Sequence, residues 1–202
     1  MGHKRLPVYL QHRLLCYYEY RFEKTYFKEN EILGTISGQL QQEVVMHKCR
    51  KLVENVDFFK DLPTTLLLRI VASMRQEIFM TNDVVIKANT VGDCMYFISS
   101  GTVAILTKTG REVSMLQSCF YHKQIICHLY DGDHFGEIAL IVRNSLRVAS
   151  VITVEACEVN RLDRIDFLNA ILPYPDLLMK IEQIAYDRMM MTKEMDERIH
   201  TV

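Results

Sequence analysis

Past Arg75 the apolar residues of this chain stop recurring at helical spacing and begin to alternate. The runs are short: Glu77-Ile-Phe-Met80, Val84-Val-Ile86, Met95-Tyr-Phe-Ile98, Thr102-Val-Ala-Ile-Leu106 and Glu112-Val-Ser-Met115, then Ala149-Ser-Val-Ile-Thr153 and Glu158-Val-Asn-Arg-Leu162. Between them stand Thr81-Asn-Asp83, Ala88-Asn-Thr90, Ser99-Ser-Gly101 and Thr109-Gly110, residues that favour tight turns. Short β-rich runs punctuated in this way predict a small antiparallel roll or barrel.

Helical spacing brackets the roll. Leu6-Pro7 opens a segment in which Leu10, Leu14, Tyr17, Tyr18 and Phe22 recur with helical period, Pro7 being tolerated in a first turn. A second helix is expected from Asn30-Glu-Ile-Leu33 and a third from about Gln39 to Val56. Pro63 restarts a helix with Leu66, Leu67, Leu68, Ile70 and Val71 facing inward. The tail reads helical from Arg164 to about Arg198, with breaks at Pro173 and Pro175. The fold class is therefore α+β, helices flanking a roll. The first three helices carry apolar residues on more than one side and too few for a core of their own. They suit packing against a partner chain or a neighbouring domain, or folding back on their own domain.

Asp131-Gly-Asp-His-Phe-Gly-Glu-Ile-Ala-Leu140, with Leu146-Arg-Val-Ala-Ser150 after it, carries the chemistry. It reads as a helix start inside the roll. Unpaired N–H groups and the helix dipole attract an anion there. Gly136 lets the anion approach the backbone without a Cβ. Glu137, when ionised, only accepts hydrogen bonds and suits a sugar hydroxyl. Arg147 offers a forked set of donors to a phosphate. The plain alternative is a loop entering a helix beside a solvated arginine.

Other classes are disfavoured. A formal net charge of −1 over 202 residues gives no basic face for nucleic acid. Cys16, Cys49, Cys94, Cys119, Cys127 and Cys157 are scattered without CxxC pairs or a secretory signal, as free thiols in a reducing cytosol would be. Cys119, His122, Cys127 and His128 are too irregularly spaced to predict a metal site. No apolar run reaches the roughly 18 residues of a membrane span. No nucleophile–base pair stands beside the anion motif, so no enzyme is expected.

Taken together the runs resemble the C-linker and cyclic-nucleotide-binding domain of the hyperpolarisation-activated cyclic-nucleotide-gated channel family. The resemblance rests on Tyr17-Tyr-Glu-Tyr-Arg21, Ile32-Leu-Gly34, Cys49-Arg-Lys-Leu-Val53, Gly92 with Met95-Tyr-Phe-Ile98, Gly101, Asp131-Gly132, Phe135-Gly-Glu-Ile138, Arg147-Val-Ala-Ser-Val151, and Ala185 with Asp187-Arg188. It covers the chain from Leu6 to about Arg188. It implies a helical C-linker over 1–57 that oligomerises and a cyclic-nucleotide-binding domain over 58–202. The latter would be a jelly-roll-like β-roll with a C-terminal lid helix.

The resemblance also implies roles for single residues. Gly136 and Ile138 would meet the cyclic phosphate through backbone N–H groups, with Phe135 and Ala139 also at the ligand site. Glu137 would take the ribose 2′-hydroxyl, and Arg147 would pair with the phosphate. Ile105, Val113 and Met115 would line the purine pocket, as well as packing the core, and Val148 would stand at the ligand site. Arg188 and Met189 would lie on the lid helix. The implied ligand is cAMP, with cGMP weaker. The implied assembly is a homotetramer beneath the pore of a voltage-gated cation channel at the cytoplasmic face of the plasma membrane. The chain opens at Met1 beside where such channels leave the membrane, and it looks like a fragment, a partial gene model or an engineered cytosolic piece.

Four departures qualify the match. The interval between Leu116 and Asp131 is longer than the family carries; Ser118 to Tyr130 either extends a hairpin over the pocket mouth or fills it. Leu146-Arg147-Val148 stands where the family often has two arginines and a threonine. Val148 offers no hydroxyl to the ligand, which favours cAMP over cGMP. Asn82 and Asn89 replace turn glycines, and Asn is the residue that best tolerates the left-handed region after glycine. Met189-Met-Met-Thr192 replaces a more charged end with an adaptable apolar one. A non-binding assembly module with a closed pocket is the alternative function. A kinase regulatory subunit or transcription factor fits less well, since Tyr17–Arg21 and Cys49–Val53 have no counterpart there.

Overall fold

The strand Cys94–Ser100 organises the fold because both of its faces are buried. Met95 and Phe97 enter one apolar cluster, and Cys94, Tyr96 and Ile98 enter another. Side chains alternate across a strand, so a run apolar at every position must be covered on both sides. One cover is helical and the other is a second sheet.

In this computed structural model the described residues are 6–24, 34–55, 59, 62–106, 125–183, 186–187 and 190. In chain order the elements are α1 (Val8–Lys24), α2 (Gly38–Asn55), α3 (Thr64–Ser73), β1 (Arg75–Phe79), β2 (Val84–Ile86), β3 (Cys94–Ser100) and β4 (Val103–Leu106). There follow β5 (Ile125–Leu129), β6 (His134–Phe135), α4 (Ile138–Ile141), β7 (Ser150–Thr153), β8 (Cys157–Asp163), α5 (Arg164–Ile171) and a helix over 175–183, α6. One sheet has the order β1-β8-β3-β6 and the other β2-β7-β4-β5, with every pairing antiparallel. The expected α+β roll is present.

The chain divides into two units, 1–44 and 45–202. In the first, the Pro7 carbonyl accepts from the N–H groups of Leu10 and Gln11, so proline serves as the entry to α1. Val8, Leu15 and Phe22 of that helix are exposed, and Phe22 stacks on Tyr18 at 6.2 Å. Helix α2 starts after Ser37, whose Oγ accepts from the N–H of Leu40 at 3.4 Å. The second expected helix, from Asn30, falls outside the described residues.

In the larger unit α3 begins at Pro63, whose carbonyl accepts from Leu66 and Leu67. Leu66, Leu67, Ile70 and Val71 are buried as expected, and Leu68 is half-buried. Leu66 and Ile70 pack with Phe97, Leu162, Phe167, Ile171 and Ile181, so helices α3, α5 and α6 cover one face of the first sheet. Between the sheets lie Ile86, Ile98, Val103, Val151 and Val159. The turns behave as the sequence suggests. Asn82 and Asn89 adopt φ of 66° and 63°. The Thr81–Asp83 turn is closed by Asp83, whose N–H donates to the Met80 carbonyl and whose Oδ2 accepts from the Met80 N–H.

The long interval before Asp131 is described from Ile125 onward. There it is a strand, β5, paired with β4 in the register Val103↔Leu129 and Ile105↔Cys127. The run Glu112–Met115 and residues 118–124 lie outside the described residues.

Phe97 is wholly buried and stacks on Phe59 with centroids 5.5 Å apart. Phe97→Ala should lower unfolding free energy by about 3–5 kcal/mol in urea titration. A loss under about 1 kcal/mol would show that β3 does not anchor the helical layer.

Candidate anion-binding site

The sequence motif folds as a strand, a glycine turn and a single helical turn. His134 and Phe135 pair with Phe97 and Tyr96 of β3, which ties the motif to the central strand. Phe135 stacks on Tyr96 at 5.4 Å. Gly136 then takes φ 83°, a conformation that side chains resist. Helix α4 starts at Ile138, so the N–H groups of residues 136–138 precede any acceptor within the helix.

A cavity of about 210 Å³ opens there. Gly136, Glu137, Ile138 and Ala139 form one wall, and Leu146, Arg147, Val148 and Ala149 another. Ile86, Ile105, Leu129 and Val151 complete an apolar side, to which Phe135 adds its edge. Eight residues expected at the site thus come together: Ile105, Phe135, Gly136, Glu137, Ile138, Ala139, Arg147 and Val148. Val113, Met115, Arg188 and Met189 lie outside the described residues. Leu129 shows that the described end of the long interval builds the cavity wall from a sheet edge.

Arg147 is turned inward and is only 9% exposed. Its Nη1 donates to the Gly136 carbonyl at 3.0 Å and its Nη2 to the Cys94 carbonyl at 2.6 Å. A Cβ at Gly136 would lie 2.7 Å from Nη1, and one at Gly92 would lie 2.6 Å from Cζ. Both glycines therefore make room for the guanidinium. The sequence singled out Gly136 but gave Gly92 no role, because a glycine's neighbour across the fold leaves no local trace. Cys94 was missed for the same reason.

Electrostatics make the arginine unusual. Arg161, on the neighbouring strand, pairs with Asp163 at 2.7 Å, Glu77 at 3.7 Å and Asp93 at 3.8 Å. Arg147 makes no such pair with a carboxylate among the described residues. Burial pushes the Cys94 thiol up, with the Tyr96 hydrogen bond and the Arg147 charge pulling the other way. That thiol therefore stays neutral near pH 7 and supplies no counter-charge. A buried cation compensated only by carbonyl dipoles attracts an anion strongly. With the Glu137 side chain and apolar walls beside it, the cavity offers an anion a cation, hydroxyl donors an acceptor and an apolar group a surface.

Residues 76–174, which include the lining of this cavity, fit the family model of the cyclic nucleotide-binding domain. That stretch of the chain belongs to that domain family. Over 189 residues, 94% of its length, it is 32% identical to the potassium/sodium hyperpolarization-activated cyclic nucleotide-gated channel 2 of Mus musculus, and that span is 20% of the channel. The identity is also 32% to channel 4 of Oryctolagus cuniculus, covering 15% of it, and 30% to channel 1 of the same species, covering 20%. The chain thus spans a fifth or less of the length of these relatives. No described helix is long and apolar enough to cross a membrane.

Gly136→Ala combines a disfavoured φ with a clash against Arg147 and should cost about 1–3 kcal/mol. Chemical denaturation of the purified variant tests this; unchanged stability would mean that Arg147 is not seated as described.

Proposed function

We propose that this chain is the cAMP-sensing module of a voltage-gated, cyclic-nucleotide-modulated cation channel. The observation that carries the reading is Arg147, buried in the cavity wall without a carboxylate partner among the described residues. The cyclic phosphate meets its guanidinium and the N–H groups at 136–138. Glu137 accepts the ribose 2′-hydroxyl. Ile105, with Val113 and Met115, takes the purine. Val148 lacks the hydroxyl that would favour guanine; one such hydrogen bond is worth about 1 kcal/mol. The preference is therefore for cAMP over cGMP.

Ligand binding draws the terminal helix, with Arg188 and Met189, over the base. The helical segment 1–57 assembles four copies at the cytoplasmic face of the membrane and passes the shift to the pore. Such coupling requires cAMP to bind the open-gate arrangement more tightly than the closed one. Homology to channels whose names include cyclic nucleotide gating supports this assignment.

Isothermal calorimetry with the purified chain should register cAMP binding, weaker cGMP binding, and a loss of roughly thirtyfold or more on Arg147→Glu. Absence of both heat and a thermal shift at cAMP on the order of millimolar would remove the sensing role. An assembly module with a closed pocket would then remain.

A further inference from the structure

Two acids adjoin Cys94, the residue that holds Arg147, one in sequence and one in register. Asp93 precedes Cys94 directly, yet its side chain is 77% exposed and lies 3.8 Å from Arg161. Asp163, opposite Cys94 across the β3–β8 ladder, is held by Arg161 at 2.7 Å and Arg75 at 3.8 Å. Cys94 itself is 3% exposed, and its Sγ lies 3.4 Å from Nη2 of Arg147. The position nearest the inner edge of the guanidinium therefore carries a neutral side chain, while the neighbouring acids are committed to another arginine.

We propose that Cys94 is a positioning residue that sets the affinity of the anion site: its carbonyl orients Arg147 while its thiol leaves the guanidinium charge unneutralised. A carboxylate at 94 would reach the same Nη2, hold Arg147 as an internal ion pair and compete with the phosphate. Two arginines near β3 thus differ in their surroundings, Arg161 paired with carboxylates and Arg147 with none among the described residues. This inference rests on the nucleotide reading for its consequence, but the Arg147–Cys94 contact can be tested without ligand.

The variants are Cys94→Asp and its uncharged isostere Cys94→Asn, each made with Arg147 present and in an Arg147→Ala background. Size and polarity are nearly matched, so the difference between Asp and Asn reports charge. Cys94→Asp should bind cAMP about tenfold or more weakly than Cys94→Asn by calorimetry. In melting experiments without ligand, Cys94→Asp should cost several degrees more in the Arg147→Ala background, where its carboxylate has no cation. Equal cAMP affinity of the two variants would overturn the proposal, as would equal melting penalties in both backgrounds. Failure of Cys94→Asp to fold while Cys94→Asn folds would also count against it, because no pair would have formed. If wild-type protein binds no cAMP, the nucleotide reading fails, and the melting arm still decides whether position 94 reaches Arg147.

Discussion

The cavity depends on one buried positive charge held by dipoles and by no acid among the described residues. Arg147 lies between Gly92 and Gly136, donating to the carbonyls of Gly136 and Cys94. Carbonyl oxygens satisfy its hydrogen bonds but do not cancel its charge. An unpaired buried cation is costly in an apolar interior, and it persists where a packed frame fixes it. Here the frame is the junction of β3, the glycine turn and the segment after α4.

That frame explains why β3 is buried on both sides. Its inward positions, Cys94 and Tyr96, reach the arginine and stack on Phe135, while Met95 and Phe97 anchor the helices. The cavity around Arg147 and the helical layer therefore share one strand. Through Phe97 the same strand also meets Phe59, with ring centroids 5.5 Å apart.

Much of this was legible in the sequence because it is local. The change of period after Arg75 marks the roll, and Asn82 and Asn89 mark left-handed turns. Phe135-Gly-Glu-Ile138 and Arg147 together mark the cavity, since their residue types express its chemistry directly. Two strands were harder to read. His134–Phe135 is too short to show a period and is held by its pairing to β3. Ile125–Leu129 lies in an apolar interval without turn signals, and only its register with β4 shows it to be a sheet edge. The seat of Arg147 was not legible at all. Gly92, Cys94 and Arg147 meet across more than fifty positions of chain, and nothing at Gly92 or Cys94 alone announces a guanidinium.

The account's central claim is that the Arg147 guanidinium is the group that meets the ligand phosphate. Nitrogen-15-edited NMR of the arginine Nε–H resonances during a cAMP titration observes that group itself. One resonance, absent in Arg147→Lys, should shift progressively and saturate as ligand binds, while that of Arg161 stays in place. A titration in which cAMP binds and the Arg147 resonance does not move would contradict the account.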